Sequence, residues 1–226
     1  MEFSLIKELT GLSPFQWLLF AVCVALFVVS VVFLARRQQK QGSSTSVKKG
    51  IDINALVYGA LCIALSFILS YIHLFRLPQA GSVTLASMLP VMLYAYWYGP
   101  RRGFVVAFAY SILQFIQDPY FLSFAQFMLD YILGFTVLGL TSLFRKHLFS
   151  GIAISGALRL FCSFLSGVIF FAEYAPEGMN PALYSILYQL ATIGVDTLIC
   201  LVVAFVMMQM HVIERLRPRH LTPSSI

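Results

Sequence analysis

The sequence predicts an all-α integral membrane protein, a bundle of six helices preceded by one extra N-terminal transmembrane helix. Hydrophobic residues make up 60% of the 226 residues and charged residues only 11%. An average soluble domain has about 25% charged residues, and the mean hydropathy here is +0.86. The apolar runs approach the ~20 residues that a membrane-spanning helix needs. They are too long for the alternating strands of a β-barrel.

Short polar segments separate the apolar runs and define where the predicted helices begin and end. We expect helices, each with boundaries uncertain by about 2–4 residues, at 15–35, 52–75, 84–99, 103–117, 123–143, 149–172 and 182–210. The chain then divides into four parts: an N-terminal anchor helix (1–36), a basic linker (37–50), the six-helix core (51–213) and a C-terminal tail (214–226).

The first apolar run is interpreted as a retained anchor rather than a cleaved signal peptide. Its length of about 20 residues exceeds the 7–15 residues of a signal core. Glu2 and Glu8 precede it, and Arg36 and Arg37 follow it where small residues would mark a cleavage site.

The basic residues predict the orientation of the chain in a bacterial cell membrane. In a seven-span arrangement, twelve of the 15 Lys and Arg residues fall on one side: Arg36, Arg37, Lys40, Lys48, Lys49, Arg101, Arg102, Arg145, Lys146, Arg215, Arg217 and Arg219. Lysine and arginine are enriched in cytoplasmic loops. We therefore expect a cytoplasmic C-terminus and an outer N-terminus. The net charge of +6 then reflects topology, and no nucleic-acid partner is expected.

No motif for enzyme chemistry occurs in the sequence. HExxH, GxSxG and the phosphate-binding glycine-rich loop are missing, and the four histidines are scattered. Cys23, Cys62, Cys162 and Cys200 all lie in apolar runs without CxxC spacing, so we expect packing residues rather than disulfides or metal ligands. We expect no cofactor, no metal and no catalytic residues.

Polar and aromatic side chains gather in the outer halves of several predicted helices. Asp130 is the central one, because an ionisable group in a membrane span is costly and therefore usually functional. The expected pocket opens outward and is capped by loops 76–83 and 173–181. Its candidate binding residues are Gln126, Asp130, Tyr131, Ser163, Phe171, Tyr184, Tyr188 and Gln189. A carboxylate among aromatic faces suits a small heteroaromatic ligand, cationic or with paired N–H donors.

Each polar group also has a structural interpretation. Asp130 is compatible with an ion pair to Arg159 instead of a pocket role. Arg159 and Asp196 fall at similar depths, and charges near the middle of the membrane are usually paired, so we predict a structural ion pair between them. The two glutamines suit hydrogen bonds between helices, and the aromatic residues suit helix packing.

Three blocks of sequence resemble a known family. They are "LPQAGSVTLASMLPVMLYAYWYGPRRG", "QFMLDYILGFTVLGLTSLF" and "LRLFCSFLSGVIFFAEYAPEGMNPALYSILYQ". In this order and spacing they are similar to the ThiT (YuaJ) family, the thiamine-binding S components of energy-coupling factor (ECF) vitamin transporters. The resemblance covers about residues 52–212, and the 1–50 extension is not part of the usual six-helix pattern.

The resemblance implies a mechanism and assigns roles. An S component binds its vitamin from outside and docks on a transmembrane coupling protein with two ATPase subunits. Its first core helix docks through small residues, which here match Ala60 and Ala64. The family's Glu–Tyr pair falls on Asp130–Tyr131, and its tyrosine on the last helix matches Tyr184.

Four positions depart from the family pattern, and at the first of them Asp130 is one methylene shorter than the family's Glu. Gln189 stands where the family has Asn, Phe171 where it has a stacking Trp, and Ser163 where it has a His that contacts the thiazolium. A Trp of the first outer loop region has no clear counterpart. We therefore expect thiamine or a thiamine precursor as the ligand, with hydroxymethylpyrimidine or a pyridoxine-like ring as alternatives. A solitary proton-coupled transporter, an intramembrane enzyme and a scaffold remain rival hypotheses.

Overall fold

The computed structural model describes residues 53–77, 81–144, 147–176 and 178–218. The predicted anchor helix (1–36) and the linker (37–50) lie outside the described residues and stay predictions.

The described chain is mostly helical, as predicted. Its elements are α1 (Ile53–Ser70), β1 (His73–Arg76), β2 (Ser82–Thr84), α2 (Leu89–Tyr98), α3 (Pro100–Gln117), α4 (Phe124–Leu143), α5 (Leu148–Phe170), α6 (Pro181–Gln209) and α7 (Val212–Leu216). Of these, α1, α4, α5 and α6 are long and apolar enough to cross a membrane. Successive long helices run in opposite directions, so the loops alternate between the two ends of the bundle.

A short β-hairpin between α1 and α2 corrects the predicted helices. We expected helices over 52–75 and 84–99, but α1 ends at Ser70 and α2 begins only at Leu89. Strands β1 and β2 pair antiparallel between them. The backbone groups that a longer helix would have paired internally are paired across the hairpin instead, for example Leu77 N–H to Gly81 O at 2.7 Å. We call this end of the bundle the hairpin end.

Helix α2 is the most buried element of the described chain. Eight of its ten residues are buried, and it packs against α1, α3 and the second half of α4. At about 1.5 Å per residue it is only ~15 Å long, roughly half the hydrocarbon thickness. It therefore forms the centre of the bundle without spanning the membrane. The hydroxyl of Tyr94 donates to the carbonyl of Ala55 (3.0 Å), which fastens α2 to α1.

Small residues let neighbouring helices approach closely. A β-carbon added at Gly103 on α3 would lie 2.7 Å from Cβ and 2.9 Å from Cα of Ala95 on α2. A β-carbon at Gly156 or Gly167 on α5 would collide with Thr197 or Ser185 on α6. Without a hydrophobic driving force between helices in lipid, such close backbone approach is a main source of packing energy.

Two helices contain a widened π-helical stretch. In α4 it covers Met128–Leu133 and in α6 it covers Leu190–Gly194. A π-helical turn inserts an extra residue and often lies at a functional site. Both stretches fall in the half of their helix nearer the hairpin end, so the backbone is irregular where the polar residues gather.

The close contact between α2 and α3 generates a stability prediction. Gly103→Ala forces the new methyl group against the backbone of Ala95, and overpacking of this kind costs about 1–3 kcal/mol. We expect a lower apparent melting temperature in detergent solution. Gly194→Ala is the matched control, because its nearest neighbour would lie at 3.5 Å. Equal melting temperatures for the two variants would contradict the packing argument.

Candidate functional site

A cavity lies between α3, α4, α5 and α6, beneath the β-hairpin. Its wall includes all eight residues proposed from the sequence as ligand contacts: Gln126, Asp130, Tyr131, Ser163, Phe171, Tyr184, Tyr188 and Gln189. None of the eight is classed as exposed. They come from three helices and meet because α4 and α6 start at the hairpin end and α5 finishes there.

The carboxylate of Asp130 is fixed by neighbours on α4 and α5. Gln126, one turn earlier on α4, donates from Nε2 to Oδ2 of Asp130 at 2.9 Å. The hydroxyl of Ser166 on α5 donates to the same oxygen at 2.6 Å. Both bonds end on Oδ2, and the side chain of Ser163 on α5 is a third hydrogen-bonding neighbour of the carboxylate. Asp130 therefore faces the cavity as an oriented acceptor, and no ion pair within 4.0 Å joins it to Arg159.

Tyr131 connects the cavity wall to the loop between α3 and α4. Its hydroxyl donates to the carbonyl of Asp118 at 2.7 Å and accepts from the backbone N–H of Tyr120 at 3.2 Å. These two bonds hold the loop over the cavity. They place the ring of Tyr120 in the cavity wall as well.

Aromatic rings line the mouth of the cavity. The ring of Tyr120 stacks on Phe171 with centroids 5.7 Å apart and an angle of 23° between the planes. Its hydroxyl lies 3.5 Å from that of Tyr174. The bond with Tyr174, together with partial burial, raises the pKa of Tyr120 to about 12, so this phenol stays neutral at physiological pH. Flat, uncharged rings at the mouth suit a ring-shaped ligand.

Helix α6 contributes one polar stripe to the cavity. Tyr184, Tyr188 and Thr192 recur at intervals of four residues and so lie on one face, with Gln189 beside them. Gln189 donates from Nε2 to the carbonyl of Ser163 on α5 at 3.3 Å. The hydroxyl of Thr192 donates to the carbonyl of Tyr188 at 3.0 Å. The stripe thus joins α6 to α5 along the cavity.

The β-hairpin closes over the cavity through two bonds to α6. The backbone N–H of Gly81 donates to the hydroxyl of Tyr188 at 2.9 Å. The hydroxyl of Thr84 donates to Oδ1 of Asp196 at 3.0 Å. A β-carbon at position 81 would overlap the phenol of Tyr188, so a larger residue there requires that side chain to shift.

The predicted ion pair between Arg159 and Asp196 is not formed and is corrected here. Within the described residues, the ion pair found within 4.0 Å is His211–Glu214. Asp196 accepts from Thr84 instead. The guanidinium of Arg159 lies over the ring of Phe135, 3.9 Å from its centroid, and Arg159 lines the cavity. The sequence did not predict the hairpin, and it is the hairpin residue Thr84 that bonds the carboxylate of Asp196.

Several wall residues escaped the sequence analysis. Thr192 continues the four-residue spacing of Tyr184 and Tyr188, so helical periodicity would have found it. Ser166, which bonds Asp130 but does not itself line the cavity, lies three residues after Ser163, and the same argument applies. Tyr120 and Thr84 lie in a loop and a strand, where no periodicity points to a common cavity. The proposed docking residues Ala60 and Ala64 lie elsewhere, exposed on α1.

The bond between Gly81 and Tyr188 yields a prediction for hairpin mobility. Tyr188→Phe removes one hydrogen bond, with a net value of about 1 kcal/mol. We expect backbone amide exchange in residues 82–85 to become about five times faster, as measured by mass spectrometry. Tyr58→Phe, an exposed position on α1 outside the cavity, is the control. Unchanged exchange in Tyr188→Phe would show that the bond does not hold the hairpin.

Comparison with known proteins relates the chain to characterised relatives. A family model described as thiamine transporter protein (Thia_YuaJ) matches residues 56–214. The thiamine transporter ThiT of Bacillus subtilis is 26% identical over 149 residues, covering 56% of this chain and 74% of the relative. ThiT of Lacticaseibacillus paracasei is 30% identical over 122 residues, covering 47% of this chain and 61% of the relative.

A solved structure shares the fold. The structure of ThiT from Listeria monocytogenes superposes with a TM-score of 0.64 at 21% identity, and the match covers 71% of this chain and 96% of that one. The likeness shows an all-helical membrane fold. The related proteins are named as transporters, and nothing groups them with enzymes. With the family model matching well over half of its length, this multi-pass membrane protein belongs to the thiamine transporter family, and it is a transporter rather than an enzyme.

Proposed function

We propose that this chain is the substrate-capture (S) component of an energy-coupling factor vitamin importer, which binds thiamine or a thiamine precursor from outside. The observation that carries the proposal is the Asp130 carboxylate, oriented by Gln126 and Ser166 in a cavity walled by aromatic rings. Membership of a thiamine transporter family supports the choice of ligand.

The chemistry of the wall suits an aminopyrimidine ring. Oδ1 of Asp130 accepts a hydrogen bond from an amino group or a protonated ring nitrogen, and charge-assisted bonds of this kind are the strong ones. Phe171, Tyr120 and Tyr184 offer faces for stacking. A cation over such faces gains about 0.5–2 kcal/mol. Gln189 and Ser163 complete the polar contacts.

A smaller ligand is the second candidate, and Ser163 is the observation that favours it. A serine at this position offers less contact surface than the family's His, and Phe171 offers less than its Trp. A pocket with weaker contacts to the thiazolium half suits hydroxymethylpyrimidine or a pyridoxine-like ring. Recognition of these smaller ligands depends on the part of the cavity around Asp130.

The direction of capture follows from charge. Within the described chain, the loops at the end opposite the hairpin carry basic residues: Arg101, Arg102, Arg215 and Arg217. By the positive-inside rule this end faces the cytoplasm. The hairpin and the mouth of the cavity then face outward, the C-terminus is cytoplasmic and the N-terminus is outside. The protein resides in the bacterial cell membrane.

Release of the ligand inward requires an external source of energy. The sequence holds no phosphate-binding loop of its own. We propose that an ECF transmembrane coupling protein and two ATPase subunits supply it, and that α1 docks on them through Ala60 and Ala64. These residues lie one helical turn apart and exposed. Ala60 borders a groove that also includes Gly59, Val105 and Ala109. Small residues of this kind allow another helix to approach closely.

Ligand titration tests the capture role. We expect the quenching of intrinsic fluorescence of the purified protein to report binding of thiamine or hydroxymethylpyrimidine. Asp130→Asn should weaken that binding at least tenfold, because the amide replaces an ionised acceptor. Glu173→Gln, an exposed acid near the mouth that does not line the cavity, should change affinity less than twofold. If thiamine, hydroxymethylpyrimidine and pyridoxine all fail to bind, the substrate assignment is wrong.

Reconstitution tests the docking role. A tryptophan at position 60 or 64 fills the space that a partner helix would occupy. In proteoliposomes with the energising module, we expect Ala60→Trp and Ala64→Trp to abolish ATP-dependent uptake and leave ligand affinity unchanged. Ala157→Trp, equally exposed but on α5, is the matched control and should transport normally. Normal uptake by the α1 variants would place docking elsewhere.

A further inference from the structure

Arg159 is an unusual residue in the cavity wall. Its guanidinium packs over the ring of Phe135, and one N–H group is directed at the sulfur of Met88. Its Nε is buried and has no hydrogen-bond partner. No carboxylate of the described chain lies within 4.0 Å of it. A charged group is thus held against the cavity by apolar contacts and a weak sulfur acceptor.

Such an arrangement is costly unless something in the cavity accepts from the arginine. A guanidinium has five N–H donors and no acceptor, and a buried donor without a partner is destabilising, more so when it is charged. The neighbouring carboxylates have other donors: Thr84 bonds Asp196, and Gln126 and Ser166 bond Asp130. The arginine therefore keeps donors for a group that the protein does not supply.

The other buried atoms without a hydrogen-bond partner do not offer a donor to the cavity. Among the described residues, two other buried side-chain atoms lack a partner, the hydroxyls of Ser66 and Thr136. Neither residue lines the cavity. Within the part of the chain that the structure describes, Arg159 is the residue that combines a buried unpartnered donor, a positive charge and a position in the wall.

The position of Arg159 defines which part of a ligand it meets. It lies one helical turn inward from Ser163 and about three turns inward from Phe171 along α5. Phe135, beneath its guanidinium, lies beyond Asp130 along α4 in the same direction. Arg159 thus marks the inner end of the cavity, opposite the aromatic mouth.

The surrounding charge defines the kind of acceptor. Asp130 lines the same cavity as Arg159, and Asp196 bonds Thr84, another residue of the wall. An anionic ligand group at this end would lie beside these two acids, which repel it. The matching group is a neutral oxygen, such as a hydroxyl.

We propose that Arg159 is a specificity-determining residue that donates a hydrogen bond to a neutral hydroxyl oxygen on the ligand, at the inner end of the cavity. This inference rests on the proposed capture of a thiamine-like vitamin. It makes the pocket select ring compounds that carry an uncharged hydroxyalkyl arm over those with an alkyl arm of the same length.

Paired ligands test the inference. Thiamine is compared with its analogue in which hydrogen replaces the side-chain hydroxyl, by titration of the full-length protein. We expect the wild-type protein to bind thiamine at least tenfold more tightly than the deoxy analogue. Arg159→Gln should bind both within threefold of each other, and Arg159→Lys, which retains a donor, should restore part of the difference. Arg215→Gln, exposed at the opposite end, should keep the wild-type ratio.

Each alternative result overturns a defined statement. Equal binding of the two ligands by the wild-type protein overturns the inference without any variant, so a variant that does not fold leaves the test intact. Equal weakening of both ligands by Arg159→Gln assigns the arginine a structural role. Tighter binding of thiamine phosphate than of thiamine, lost in Arg159→Gln, shows recognition of an anion and overturns the neutral acceptor.

The same titrations separate this inference from the proposed function. Thiamine binding without hydroxyl discrimination overturns only the role of Arg159. Where thiamine does not bind, hydroxymethylpyrimidine and its methyl analogue provide the same comparison. If none of these ligands binds, both the proposed function and the inference are wrong.

Discussion

The fold depends on the hydrogen bonds that the surrounding hydrocarbon cannot provide. In a membrane, each polar side chain on a spanning helix must find a partner within the protein or face a cavity. Gln126, Asp130 and Ser166 satisfy one another between α4 and α5. Thr84 and Asp196 do the same between the hairpin and α6. These pairs join the helices around one space and direct the remaining donors and acceptors into it.

The cavity exists because the centre of the bundle is filled at only one end. Helix α2 packs the core but is too short to span the membrane, so its half of the bundle is close-packed and the half beneath the hairpin is not. The π-helical stretches in α4 and α6 lie in that second half. Close contacts at Gly156 and Gly167 hold α5 and α6 together beside it. The close-packed half thus supports the half beneath the hairpin, which has room for a ligand.

The polar groups of the cavity divide into three levels. Aromatic rings of Tyr120 and Phe171 form the mouth, the oriented carboxylate of Asp130 lies below them, and Arg159 lies at the inner end. The levels differ in the groups that they offer: aromatic faces, a carboxylate acceptor and a guanidinium donor. Two hydrogen bonds join the hairpin to α6 at this end of the bundle.

The sequence alone determined the class of protein, the approximate positions of most described helices and eight of the residues that line the cavity. The length of an apolar run, the basic residues between runs and a helical spacing of four residues are local properties of the sequence. They predict the folded protein well because a backbone in lipid has few alternatives to the helix. The eight candidate residues meet in one cavity for the same reason: antiparallel helices bring the parts of α4, α5 and α6 that hold them to the hairpin end.

Only the tertiary structure decided which polar groups pair. Asp196 bonds to Thr84 of a hairpin that replaces the end of a predicted helix, and Arg159 is left facing the cavity instead of paired with that acid. The loop position of Tyr120 and the π-helical turns likewise follow from contacts between distant segments. Depth along a helix can be counted from a sequence, but the rotation of one helix against another depends on side-chain packing, and this rotation selects the partner of a buried charge.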